Sequence, residues 1–409
     1  MQFMKEFNCI GSDCELNCCN GWTVSVSESE VQDIDDTLKK IPSLHQTTND
    51  VIALKNAKHH LKVHSNGDCA FQCANGLCDL QAKAGEASLP YVCATYPRQI
   101  HQHGDRFELS GMTSCPEITR KLLFSPNATR RVSAEKELFP RYVPNSATAN
   151  PDEAPWTQYL DDIRNLALEM LQLPYPIAHR LFLLTELTRR LNTVLTPTTQ
   201  VASETTITRA LGPLLDVKNL TATHEHLATL GWTAEHVFSV PLNLIAIRTI
   251  ASTKARSEHT RELFAAICTA DNLDLDDIEV TAAKLWPNHI RRSAMLHAQH
   301  DSRLDQFHTR YAEHYWFHEV YTSHTSLNAH MSRLLLLLAA QRILVVNHPE
   351  LSVKLDAGMS VPLELLDRVQ VEAVANLSRN MEHNRTLNRL ISAVASDGAY
   401  THTQRLCFL

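Results

Sequence analysis

Residues 156–172 read WTQYLDDIRNLALEMLQ, and the apolar positions Trp156, Tyr159, Leu160, Ile163, Leu166, Ala167 and Met170 recur at intervals of three and four. That spacing draws one stripe along an α-helix, and such a stripe must face a partner. Helical spacing of the same kind continues over 177–192, 201–216, 222–230, 241–268, 278–284, 289–323, 327–346, 361–378 and 381–396. Eleven glycines in 409 residues are few for a loop-rich domain. Residues 156–409 therefore read as a mostly α-helical domain with enough amphipathic helices for a sizeable core around a binding cleft.

The chain before this region has another texture. In WTVSVSESEVQDIDDTLKKI (22–41), Trp22, Val24 and Val26 alternate with polar residues as in a short strand, and Ser29 or Glu30 then leads into a helix carrying Val31, Ile34 and Leu38. Residues 1–125 read as a small cysteine-rich domain of mixed α/β or α+β class. The stretch SPNATRRVSAEKELFPRYVPNSATANPDEAP (125–155) holds five prolines and little apolar periodicity, so 126–155 reads as a linker. No strand, glycine-rich turn and helix follow one another as in a Rossmann unit, and LGP at 211–213 is too weak to count.

Thirty-eight basic against 45 acidic residues give a net charge of −7, which offers no global field for nucleic acid. The start, MQFMKEFNCIGSDC, lacks the apolar stretch of a secretory peptide, so the expected location is the cytoplasm. LLLLLAAQRILVV (334–346) is interrupted by Gln341 and Arg342 and is too short to cross a bilayer without them, which predicts a buried helix and no integral membrane association. A reducing compartment favours metal-bound or free thiols over disulfides.

Nine of the eleven cysteines fall within the first 115 residues: Cys9, Cys14, Cys18, Cys19, Cys69, Cys73, Cys78, Cys93 and Cys115. Four thiolates can hold a zinc ion or an iron-sulfur cubane, and spacing alone does not choose between these or between ligation and buried or redox-active thiols. CxxxCxxC is absent from DCELNCC (13–19), which disfavours a radical mechanism built on that loop. Cys18 and Cys19 are adjacent, so in extended backbone their side chains point to opposite faces.

In order along the chain stand FNCIGSDCELNCCNGW (7–22), GDCAFQCANGLCDLQAKAGEASL (67–89), PYVCATYPRQ (90–99) and SGMTSCPEITRKLL (110–123). This order resembles the flagellin lysine-N-methylase family, whose cysteine-rich region is related to zinc- or iron-chelating domains. The matching positions are Cys9, Asp13, Cys14, Cys18, Cys19, Gly21 and Trp22, then Gly67, Cys69, Gly76, Leu77 and Cys78, then Cys93, Tyr96, Pro97 and Arg98, and finally Ser114, Cys115, Pro116 and Glu117. The resemblance implies a 4Fe-4S cluster on four of Cys9, Cys14, Cys18, Cys19, Cys69, Cys78, Cys93 and Cys115, and methyl transfer from S-adenosylmethionine to lysines of flagellin. Cys73 stands outside the pattern, as do the distant Cys268 and Cys407. A noncatalytic metal-binding adaptor that recognises an exported or structural protein, and a zinc form of the same fold, are the alternatives.

Catalytic and donor-binding residues carry no signature in the sequence. Supporting roles fall to Trp22, Tyr96, Pro97, Arg98, Pro116 and Glu117. Pro97 restrains the backbone and biases Tyr96 toward an extended conformation. Arg98 can donate to carbonyls, a carboxylate or an anionic cofactor, or simply belong to a rigid turn that ties down Cys93. Glu117 suits either a substrate ammonium or the start of a helix. In HTRYAEHYWFHEVYTSH (308–324), His314 and His318 lie four apart with Glu313 and Glu319 nearby, but Tyr311, Tyr315, Trp316, Phe317 and Tyr321 favour an aromatic packing helix over a metal site.

Overall fold

A computed structural model of the chain describes residues 1–103, 106–135, 155–195, 204–230, 235–250, 258–273, 278–319, 326–381, 391, 400 and 403–409. Most of the expected linker, Tyr321 and nearly all of the helix expected over 381–396 lie outside these residues.

The first unit is a small antiparallel sheet with short helices against it. Strands β1 (Ser25–Val26), β2 (Ile52–Lys55) and β3 (Lys58–Leu61) pair in the order β1-β3-β2. The hairpin between β2 and β3 turns on Asn56 and Ala57, both at positive φ, the conformation that matches the twist of the flanking strands. The alternation at Trp22, Val24 and Val26 yields only two strand residues, yet Val24 and Val26 are buried as the period requires. Helix α1 (Glu28–Lys40) starts a little before the expected position because Ser27 caps it: the Glu30 amide donates to Ser27 Oγ and the Ser27 amide donates to Glu30 Oε2 at 2.7 Å. With α2 (Thr48–Val51), α3 (Asp79–Ala84) and α4 (Tyr91–Thr95), it closes a core around Ile34, Leu38, Val51, Leu61, Phe71 and Leu80.

A second antiparallel pair, β4 (Arg98–His103) and β5 (Arg106–Gly111), is followed by α5 (Pro116–Phe124). Leu109 of β5, Ile118 and Leu122 of α5, and Phe3 and Met4 near the start of the chain all sit in a larger core shared with the later helices.

The later elements are α6 (Leu160–Leu171), α7 (Ile177–Val194), α8 (Glu204–Leu215), α9 (Val217–Thr229), α10 (Glu235–Ile250), α11 (Glu258–Ala270), α12 (Ile278–His318), α13 (Leu327–Val346), α14 (Pro349–Asp356) and α15 (Leu363–Met381). A mixed N-terminal part followed by a mostly helical one agrees with the periodicity, and the described strands pair only antiparallel, with no Rossmann-like topology among them. The stripe on α6 is buried at Leu160, Ile163, Ala167 and Met170. The two helices expected at 278–284 and 289–323 form one, α12, which runs through Pro287 and bends at His300. Helix α14, absent from the periodicity, opens on Pro349 at its first turn. Helix α13 is the described helix long and apolar enough to cross a membrane, and all of it is buried among α7, α10, α12 and α15.

Candidate functional site

One cleft, of about 230 Å³, gathers several residues of the cysteine motifs together with a residue of the last long helix. One wall is the loop 17–22. Gly21 adopts φ 81°, a left-handed conformation that suits glycine, and its amide donates to the Gly67 carbonyl at 2.9 Å. The Trp22 indole then folds back and donates to the Cys18 carbonyl at 2.6 Å. Asn17 holds the base of the loop, accepting from the Cys19 amide at 2.7 Å and donating to the Gly76 carbonyl at 3.1 Å.

The opposite wall comes from the short helix α4 and the strand that follows it. Glu30 of α1 accepts from the Tyr91 amide at 2.6 Å, fixing the start of α4. Val92 and Thr95 of this helix line the cleft. Tyr96 follows in extended backbone, its peptide to Pro97 cis, and its ring stands 5.8 Å from that of Trp22 at an interplanar angle of 46°. The Tyr96 hydroxyl lies 3.3 Å from Ser114 Oγ. Arg98 opens β4 with its guanidinium 5.3 Å from the centre of the Phe7 ring. The mouth is completed by Arg379 of α15, which donates to the Asn17 carbonyl at 2.5 Å.

Of the residues singled out in the sequence, the cleft therefore brings together Cys18, Trp22, Tyr96, Arg98 and Ser114. Pro97 stands just behind it, its carbonyl accepting from the Met112 amide at 2.8 Å. Pro116 and Glu117 form the first turn of α5, where the buried Glu117 carboxylate pairs with Arg120 and Lys121. Arg379 had no signal in the sequence: it is one of many helix-borne arginines, and only folding carries it across more than 350 residues to Asn17.

The cysteines do not form the cluster site that the family resemblance implied. All eleven thiols are free, and among the described residues no group of three or more His, Cys, Asp or Glu side chains is placed to hold a metal ion. This corrects the expectation of a 4Fe-4S cluster, or a zinc ion, on four of Cys9, Cys14, Cys18, Cys19, Cys69, Cys78, Cys93 and Cys115, and with it the reading of the region as metal-chelating. Cys19, Cys78 and Cys93 pack with Cys69 against the small core, where burial favours the protonated thiol over the thiolate that a metal needs. Cys69 belongs to the small core, Cys115 caps α5 inside the large core, and Cys9 and Cys18 are exposed. Cys18 still lies near enough to Cys69, Cys78 and Cys93 for its charge to raise their pKa.

Burial sets most of these thiols in the protonated state: Cys93 and Cys115 are both pushed up to about 12. Cys18 is the exception. A hydrogen bond from the Cys19 thiol and the nearby Arg379 guanidinium bring it down to about 7 against the cost of desolvation, while Cys19 is raised as the donor of that bond. Burial likewise keeps the Tyr96 phenol protonated, so it serves as a hydrogen-bond donor and an aromatic wall. The cleft thus combines two rings, hydroxyls, one acidic thiol and two guanidinium groups.

Elsewhere, a larger hollow of about 470 Å³ lies beside Glu108 and Arg164, but these buried charges already pair at 2.6 and 2.8 Å. His314 and His318 are buried, stacked 4.9 Å apart, and bonded to the Gly111 carbonyl and to Ser110 Oγ of β5, in keeping with the packing reading of that helix.

No family model matches the chain, and no solved structure matches it. Among curated proteins, 147 residues are 29% identical to the flagellar biosynthetic protein FliU of Salmonella muenchen, covering 34% of this chain and 83% of that protein. A stretch of 134 residues is 30% identical to a lysine-N-methylase of Salmonella typhimurium strain LT2, covering 31% of this chain and 32% of the methylase. The lysine-N-methylase of Salmonella choleraesuis strain SC-B67 is 29% identical over a stretch of the same length. The likeness is partial, and the chain spans about a third of each methylase it matches.

Proposed function

We propose that this chain is a protein lysine N-methyltransferase that moves methyl groups from S-adenosylmethionine to lysine side chains of flagellin. The observation that carries the reading is the partial likeness to proteins named lysine-N-methylase, and the likeness to a flagellar biosynthetic protein supports the choice of acceptor. In this proposal the reaction takes place in the cytoplasm, and residues 156–409 supply much of the acceptor-binding surface beside the cysteine-rich region.

The donor supplies an electrophilic methyl carbon on sulfur. The lysine nitrogen forms a bond to that carbon as the carbon–sulfur bond breaks, and it must first give up a proton, because a free lysine with a pKa of about 10.4 is almost wholly protonated near neutrality. The chain's part is to strip water from the amine, hold it in line and let its proton leave. A cleft walled by Trp22, Tyr96, Val92 and Met112 offers apolar surface beside which the amine is held, and the hydroxyls of Thr95 and Ser114 line it.

The test is incubation of the full-length protein with flagellin and an isotopically labelled methyl donor, followed by peptide mass analysis. The expected outcome is label on lysine side chains. Binding of flagellin with no transferred label would overturn the enzymatic reading and leave an adaptor.

A further inference from the structure

The cleft beneath Arg379 has a charge balance that selects among the parts of a methyl-transfer reaction. Among the described residues lining it there is no carboxylate, and its two guanidinium groups are set against a single acidic thiol, that of Cys18. Arg98 makes no ion pair among the described residues and rests over Phe7. Arg379 uses one bond on the Asn17 carbonyl and faces the Cys18 thiol. A lysine side chain would bring a lone ammonium against these two guanidinium groups, which oppose it at short range, whereas an α-amino acid brings beside its ammonium a carboxylate that pairs with them. A carboxylate would meet a planar fork of donors made for it. The rings of Trp22 and Tyr96 also line the cleft, and aromatic rings attract a sulfonium. The volume, about 230 Å³, is below the roughly 300–1,000 Å³ of sites that enclose a drug-sized ligand, so it suits one end of a larger molecule.

Resting on the methyl-transfer reading, we infer that this cleft seats the amino-acid end of the methyl donor, with Arg379 receiving its carboxylate and Trp22 and Tyr96 facing its sulfur. Arg379 is then a specificity-determining residue: it ties the choice of donor to the packing of α15 against the loop 17–22. The hydroxyls of Thr95 and Ser114 offer acceptors to the donor's ammonium. The lysine acceptor approaches from outside the guanidinium-lined mouth.

The experiment is calorimetric titration of full-length wild type, R379A and R379K with two probes. S-adenosylhomocysteine carries the carboxylate; 5′-methylthioadenosine lacks the amino-acid end. The expected result is a loss of about tenfold or more in affinity for S-adenosylhomocysteine in R379A, partial rescue in R379K, and unchanged binding of 5′-methylthioadenosine in both variants. Unchanged S-adenosylhomocysteine binding in R379A would overturn the assignment. Equal weakening of both probes would also overturn it, because the guanidinium would then act on the loop and not on the carboxylate. If wild type methylates flagellin while R379A binds S-adenosylhomocysteine normally, the donor seat is wrong and methyl transfer stands. If wild type neither binds S-adenosylhomocysteine nor methylates flagellin, the methyl-transfer reading itself fails, and the seat with it.

Discussion

Cys18 and Cys19 differ by one position and by their place in a single hydrogen bond. The Cys19 thiol donates and Cys18 accepts, and Arg379 adds its charge, so the Cys18 thiol sits at about 7 while burial holds Cys93 and Cys115 near 12. Alkylation by iodoacetamide near neutral pH, read by peptide mass analysis, should modify Cys18 well before Cys93 and Cys115, whose thiols burial keeps protonated. Equal rates at all three would contradict the hydrogen-bond order. Gly111 gives a second residue-scale test, because a Cβ there would meet Ile118 Cδ1 at 2.7 Å and Met4 Sδ at 2.8 Å. G111A should cost roughly 1–3 kcal/mol of stability by overpacking, measured as a lowered urea midpoint at constant slope.

Among the elements, β5 is tied to α6 by a buried ion pair, while α13 is buried along its whole length and also bonded through Arg333 to Glu319 and through Arg342 to the Cys407 and Leu409 carbonyls. Glu108 takes two bonds from Arg164, and both side chains are buried. E108A leaves that guanidinium without its main partner. Since Asp161 still accepts from Arg164 at 2.7 Å, the expected loss is about 3 kcal/mol, the lower end for a broken buried pair. A melting temperature equal to wild type would show that the pair contributes nothing. In α13, Leu344 is fully buried among other helices, and L344A should cost about 2–5 kcal/mol through lost transfer energy and the cavity left behind.

For the molecule as a whole, a set of buried neutral histidines makes stability depend on pH. Desolvation lowers His101 to about 4 and His289 to about 3, and lowers His308 and His314 well below the ordinary value. The unfolded chain therefore binds more protons than the folded one below about pH 6.5, so stability is full above that value and falls as pH drops toward the folded pKa values. At pH 5 the expected cost is about 2 kcal/mol each for His101 and His289. Urea unfolding at pH 7 and pH 5 measures it, and equal stability at the two would show that these rings are not held neutral. H289L should flatten the slope.

How much of this was legible beforehand follows from range. Helices such as α6 and α13 could be read from the chain because their cause is local: apolar residues at intervals of three and four must bury one stripe, and a helix with apolar residues all round must bury all of it. Trp22, Tyr96 and Arg98 could be singled out because they lie in short motifs, though nothing local showed that they share a cleft. The cysteines mark the limit. Nine thiols in 115 residues suggested a common centre, but neither the burial of each sulfur nor its placement toward its neighbours is set locally: Cys19, Cys78 and Cys93 join Cys69 at the small core, Cys115 goes to the large one, and among the described residues no three are placed to hold a metal ion. Arg379 marks it from the other side: its meeting with Asn17 is made by the docking of α15, between residues 362 positions apart in the chain. The sequence by itself determined the periodic elements and the polarity of their faces, because these are properties of neighbouring residues. The tertiary structure alone decided which thiol is acidic and which guanidinium borders the cleft, because charge, burial and hydrogen bonding act across space between residues far apart in the chain.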